Sequence, residues 1–251
     1  MRSFVLTQLQ CHYWTPEQIA AHLKYRQKQI KSVSHESIYA WIYKGSQKRD
    51  KLWKFLTRHK ATRGLRKSRS AGVERIPHRI SIHDRPPHIN KRANFGHWEG
   101  DLMSFMKNTQ HMIVLQERKS RFILSAPLKG KKAPDTAEMM TRLMRKLPPK
   151  ARRSITVDNG GEFAAHTSLV STLGMKSFFC DPYASWQKGG VENGNGRLRR
   201  DLPRKTNIHA LSQEDFNEII DNYNTTPRKC LAWLTPLEVF TKNLNRVALQ
   251  T

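Results

Sequence analysis

Between Gly96 and Cys180 the chain alternates short apolar runs with helical periodicity, and this alternation limits the fold more than any other feature. Trp98 to Met106, His111 to Glu117 and Arg121 to Leu128 are strand-sized, and the polar Arg118-Lys-Ser between the last two suits a tight turn. Pro134 opens a segment in which Ala137, Met140, Leu143, Met144 and Leu147 recur at three- and four-residue steps, the spacing of one buried helix face, until Pro148-Pro149 ends it. Ile155-Thr-Val157 reads as a fourth strand, Leu169, Val170 and Leu173 as a helix stopped at Gly174, and Met175 to Cys180 as a fifth strand. A polar helix around Glu192 and a capped helix from Ser212 to Tyr223 follow. Three hairpin-length strands followed by βα alternation predict an α/β core over 96–210, a mixed five-stranded sheet flanked by helices, with C-terminal helices over 211–251 packed on it.

Residues 1–57 have a different texture, a small all-α unit. Thr15-Pro16-Glu17-Gln18 combines a cap residue, a proline at the first helical position and a glutamine able to complete a capping box. Ser34 starts a second helix with Ile38, Trp41 and Ile42 on one face and Gly45 as its stop. Two capped helices in tandem suit a helix-turn-helix, with His35, Glu36, Ser37 and Tyr39 of the second helix at base edges; a plain helical bundle would show the same pattern. Residues 58–95 read as a basic linker. From Arg58 to Arg79 there are eight lysines and arginines against one acid, Glu74, with too little apolar surface for a core. Such a stretch is either simply solvated or follows a phosphate backbone.

Charge narrows the class of partner. Lysine and arginine number 45 against 20 acidic residues, a formal net charge of +25, which calls for a polyanion. An anionic membrane would need a long apolar run or an anchored amphipathic helix, and the apolar runs here are only strand-sized. Met1-Arg-Ser-Phe-Val-Leu is broken by Thr7 and Gln8 before a signal-peptide core forms, so an unexported protein is expected. Cys11, Cys180 and Cys230 are odd in number and scattered, as in a reducing compartment. Cys11, His12, His22 and His35 lack the second cysteine of a zinc site.

Asp101 is the acid hardest to explain blandly. It stands inside the first core strand, where aspartate is disfavoured and an unpaired buried carboxylate is costly. Asp158 ends the fourth strand, and Asn159-Gly160-Gly161 then turns the chain at the carboxyl edge of the sheet, the usual ligand edge of α/β folds. Glu192 begins a helix rich in glycine and asparagine. Each has an ordinary alternative: a satisfied strand aspartate, a turn former, a glutamate favoured by the helix dipole. Converging, the three would repel one another unless a divalent ion lay between them, and all-oxygen ligation favours magnesium or manganese. Glu99 shares the strand face of Asp101 and could support it or replace it as ligand. Glu162 suits the start of the following helix.

Five motifs in order, Trp98-Glu-Gly-Asp101, Val157-Asp-Asn-Gly-Gly-Glu-Phe163, Asp181-Pro-Tyr183, Trp186-Gln-Lys-Gly-Gly-Val-Glu-Asn-Gly-Asn-Gly196 and Thr226-Pro-Arg to Phe240, resemble bacterial insertion-sequence DDE transposases with a retroviral-integrase-like catalytic core. The resemblance runs from about Gly96 to Phe240. It implies a ribonuclease-H-like fold and Asp101, Asp158 and Glu192 as catalytic, metal-binding triad. It also implies two Mg2+ (or Mn2+) ions, about 3.5–4 Å apart in such sites, and 3′-hydroxyl transfer from terminal inverted repeats into target DNA. A homo-oligomer pairing two DNA ends in the bacterial cytoplasm, at the nucleoid, follows from the same likeness. Relatives usually carry a further helix-turn-helix ahead of the one read here and a polar residue at the place of Gly194, so a shortened recognition module is expected.

Around that centre, Lys188, Asn195, Arg197, Arg199 and Arg200 are candidate DNA contacts, Asn195 and Arg199 because they share the helical face of Glu192. Trp186 either stacks on a base or caps the core. Gly194 and Gly196 cost a helix about 1 kcal/mol each, which a close DNA backbone would explain. The rival readings are a non-catalytic DNA-binding regulator, an inactive shortened transposase copy, and a nuclease that cuts without joining.

Overall fold

A computed structural model describes residues 1–26, 33–43, 52–55, 76–182 and 184–248. Residues 58–75 of the basic linker, most of the segment between the two predicted recognition helices, and Tyr183 of the third motif lie outside the described residues. The chain divides into two compact units, Met1–Ala71 with Thr226–Thr235, and Gly72–Thr225 with Pro236–Thr251.

In the smaller unit, helices α1 (Arg2–Gln10), α2 (Pro16–Tyr25) and α3 (His35–Ile42) surround a core of Val5, Leu9, Trp14, Ile19, Leu23, Ile38, Ile42 and Leu52. The capping box at α2 forms as the sequence predicts: the Gln18 amide donates to the Thr15 hydroxyl, and the Thr15 amide donates to the Gln18 side chain at 2.8 Å. Ser34 caps α3 by accepting from the Ser37 amide. The sequence reading missed α1, whose apolar residues Phe4, Val5 and Leu6 run consecutively and are followed only by Leu9, a weak helical period. Thr226–Thr235, expected on the core with the other C-terminal residues, groups with this unit, where Gln18 Nε2 donates to the Pro227 carbonyl at 2.7 Å.

The larger unit is a five-stranded sheet in the order β3-β2-β1-β4-β5. Its strands are β1 (His97–Phe105), β2 (Gln110–Glu117), β3 (Ile123–Leu128), β4 (Ser154–Val157) and β5 (Lys176–Phe179). β1, β2 and β3 pair antiparallel, while β4 pairs parallel to β1 and to β5. Trp98, Ile113, Leu115, Leu128, Ile155, Val157 and Phe179 point to one face, covered by α4 (Ala133–Arg145), α5 (Thr167–Leu173) and Phe240 of α8 (Pro236–Ala248). Phe240 stacks on Phe122 and meets Phe95 and Trp98 edge-on. Met103, Phe105, Met112, Val114 and Ile123 point to the other face, beneath α6 (Gly189–Leu198) and α7 (Gln213–Thr225).

The linker ends well before residue 95. Ile76, Ile82, Ile89 and Phe95 are buried, Ser81 bridges to Phe179 in parallel, and the Phe179 amide donates to the Ile80 carbonyl. These apolar residues recur too irregularly for a periodic signal, so the basic charge around them dominates a reading of the sequence. No helix among the described residues is long and apolar enough to cross a membrane.

Candidate active site

Strand alternation sends Glu99 and Asp101 of β1 to the face that α6 covers. Parallel pairing of β1 with β4 sets Glu99 level with Thr156, so Asp158, two residues on, comes to the height of Asp101. Between the two carboxylates lies one cation: Lys188 Nζ donates to Asp101 Oδ1 at 2.7 Å and to Asp158 Oδ2 at 2.6 Å. The remaining oxygens are also engaged. Asn195 Nδ2 donates to Asp101 Oδ2 at 2.6 Å, and the Gly160 amide donates to Asp158 Oδ1 at 2.9 Å. Asp158 is thus both a turn former and a member of the charged centre.

The ammonium is almost wholly buried, with 5% of its side chain exposed, whereas Asp158 keeps 40% and opens the centre to solvent. Burial alone would pull the Lys188 ammonium down, but Asp101 and Asp158 together hold it well above the usual lysine range. Burial pushes the Asp101 carboxyl up, and Lys188 opposes that rise. Glu162, whose carboxylate curls over Gly160 and stands 3.9 Å from Lys131, is likewise raised by burial.

Glu192 is exposed on α6, one helical turn before Asn195 and on the same face. Among the described residues no three His, Cys, Asp or Glu side chains are grouped closely enough to hold one ion. The centre therefore brings together Asp101 and Asp158 and leaves Glu192 at its edge. The donors fit a hard divalent ion all the same: they are carboxylate oxygens, and the point between them already accepts positive charge.

What sets α6 over the aspartates is Glu99. Its Oε2 accepts from the Val191 amide at 2.9 Å, in the first turn of α6, and its Oε1 takes the buried Arg118 guanidinium, with Arg92 at 3.8 Å. The helix lies so close that a Cβ on Gly190 would come within 2.5 Å of Glu99 Oε2 and 2.8 Å of Gln116 Oε1. On Gly194 it would meet Gln116 Nε2 at 2.8 Å and Tyr223 Oη at 3.1 Å. Gly194 is thus explained by helix-to-sheet packing; Gly196 faces open space. Glu99 is a clamp for the helix, and the clamp's other half, Arg118, was read only as part of a turn. The signal for it was the buried acid of β1 itself, which required a cation.

The predicted DNA contacts separate into two groups. Lys188 and Asn195 are bound to the aspartates. Arg199 is half-buried, donating to the Ser104 carbonyl at 2.9 Å and lying over the Phe105 ring, and Arg200 is half-buried too. Trp186, by contrast, is 76% exposed just before α6, and Arg197 bonds Asn193 on the accessible side of the helix. In the smaller unit His35, Glu36 and Ser37 are exposed at the start of α3 and Tyr39 is half-buried, while Ile38 and Ile42 face its core. Beside Asp158 the structure adds basic side chains that the sequence reading did not single out: Arg79 on Asn159 at 2.7 Å and His83 on Asp181 at 2.8 Å.

The integrase core domain family matches residues 91–185. The transposase for insertion sequence element IS1086 of Cupriavidus metallidurans is 38% identical over 92% of this chain and 69% of its own length. Transposase InsI for insertion sequence element IS30A of Escherichia coli K12 is 34% identical over 97% of this chain and 65% of its own. The chain thus spans about two thirds of these curated relatives. The catalytic core domain of BIV integrase has the same fold, with a TM-score of 0.50 at 19% identity, over 61% of this chain and 98% of that one. Ribonuclease-H-like sheet, integrase core and a likeness over more than nine tenths of this chain agree: the chain belongs to the bacterial insertion-sequence transposases with an integrase-like core.

Proposed function

We propose that this transposase cuts and joins DNA through a single DDE centre made by Asp101, Asp158 and Glu192. The observation that carries the reading is the carboxylate pair already sharing one cation, at 2.7 and 2.6 Å, beneath the helix that bears Glu192. Asp101 and Asp158 hold Mg2+ or Mn2+, and Glu192 turns inward from α6 to complete the set. When bound, the metal supplies positive charge at the attacking and leaving oxygens of a phosphodiester. Asn195 orients Asp101, and the Glu99–Arg118 clamp keeps α6 at the height that lets Glu192 reach the centre.

In the first reaction water opens the phosphodiester at an element end and leaves a 3′ hydroxyl; in the second that hydroxyl attacks a target strand, releasing a strand end there. No covalent bond to the protein is needed. Exposed Trp186 and half-buried Arg197 hold the strand, and the start of α3, with His35, Glu36, Ser37 and Tyr39, reads a groove of the terminal repeat. A second copy of the chain brings the second end.

Full chain, Mg2+ and a labelled duplex carrying an element end are expected to give a nicked and a joined product. Glu192→Gln abolishes both while DNA binding persists. Normal cutting by Glu192→Gln would remove Glu192 from the centre.

A further inference from the structure

Lys188 is buried, bonded to both aspartates, and stands on the very oxygens through which those residues would hold a metal. We infer that Lys188 is a positioning residue: its ammonium holds the Asp101 and Asp158 carboxylates together before a divalent ion arrives, and the ion displaces it. The inference rests on the reading of Asp101 and Asp158 as metal ligands.

Two features separate this from an ordinary ion pair. Lys188 serves two acids, Asp101 in β1 and Asp158 just after β4, at nearly equal distances and through the oxygens that face each other, so its removal leaves two like charges facing each other. Lys188 is also free to leave. It ends the short helical turn Ser185–Lys188 and has non-helical backbone angles, φ −123 and ψ 34, just before α6. The helix itself is fixed elsewhere, by Glu99 on the Val191 amide and by the close packing of Gly190 and Gly194 on the sheet. The side chain can therefore swing out without moving α6. A divalent ion brings twice the charge to the same oxygens, and the displaced ammonium is delivered to the open side of the centre, where a DNA phosphate approaches.

The test uses the full-length chain, Mn2+ as the probe and an amine-acylating reagent, with modification at each lysine read by mass spectrometry. Without metal, Lys188 is acylated far more slowly than exposed Lys176. Saturating Mn2+ speeds Lys188 by roughly tenfold and leaves Lys176 unchanged, a ratio equivalent to about 1.4 kcal/mol. In parallel, Lys188→Met binds Mn2+ about tenfold more tightly than wild type, because no ammonium competes. Mn2+ binding with no rise at Lys188, or no tighter binding by folded Lys188→Met, overturns the inference and leaves the ligand assignment standing. Wild-type Mn2+ affinity in Asp101→Asn instead removes Asp101 as a ligand, and the inference with it.

Discussion

His97 shows how one residue ties pH to stability. It is buried at the start of β1, its Nδ1 paired with Ser154 Oγ at 2.7 Å, and its pKa falls from 6.5 to about 4, chiefly by burial and then by Arg153 and His88 nearby. The folded protein refuses a proton that the unfolded chain accepts, so this contribution is complete above about pH 6.5 and is lost as pH falls toward 4. The loss amounts to as much as about 3 kcal/mol. Thermal unfolding between pH 7 and 4 should show it, and His97→Gln should flatten that part of the profile. At this scale the sequence was informative about which residues matter and poor about whom they touch. Asp101 and Asp158 stood out because their surroundings in the chain made them costly or exposed. Asn195 was assigned to DNA by its spacing along a helix and Lys188 by the basic charge around it, and neither signal names the partner that the sheet presents.

For the elements, register and close approach decide the site. Strand ends fell within two residues of the apolar runs, since alternation and turn residues are local signals. Gly194 of α6 was misread for the opposite reason. Whether a missing side chain admits DNA or the protein's own sheet depends on a packing distance that no local pattern carries. Gly190→Ala should cost about 1–3 kcal/mol by overpacking, because the Glu99 carboxylate it meets is held by Arg118 and the Val191 amide and cannot move aside. Denaturant unfolding measures the cost. Joining activity should fall further than stability alone would explain, as α6 tilts and carries Glu192 and Asn195 with it; an alanine variant with wild-type stability and activity would show that the clamp does not set the helix.

Across the whole molecule, opposite charges are separated by task. In the proposed function a net +25 gathers DNA, and a few acids in its midst hold the reacting centre. DNA affinity should therefore fall steeply with salt, by about a thousandfold between 50 and 200 mM if six or more phosphates are neutralised; a flat salt response would place recognition in uncharged contacts. The succession of strands and helices, the mixed five-stranded sheet and the family could be read from the sequence, because strands and their punctuation are encoded locally. The place of Thr226–Thr235 in the smaller unit could not, since there Pro227 meets Gln18, more than two hundred positions away. The central claim, that Asp101 is a metal ligand in the cutting and joining centre, is tested most directly by changing ligand chemistry. Asp101→Cys should be inactive with Mg2+ and regain nicking and joining with Mn2+, since the softer ion tolerates a thiolate better; full activity of Asp101→Cys in Mg2+ would contradict it.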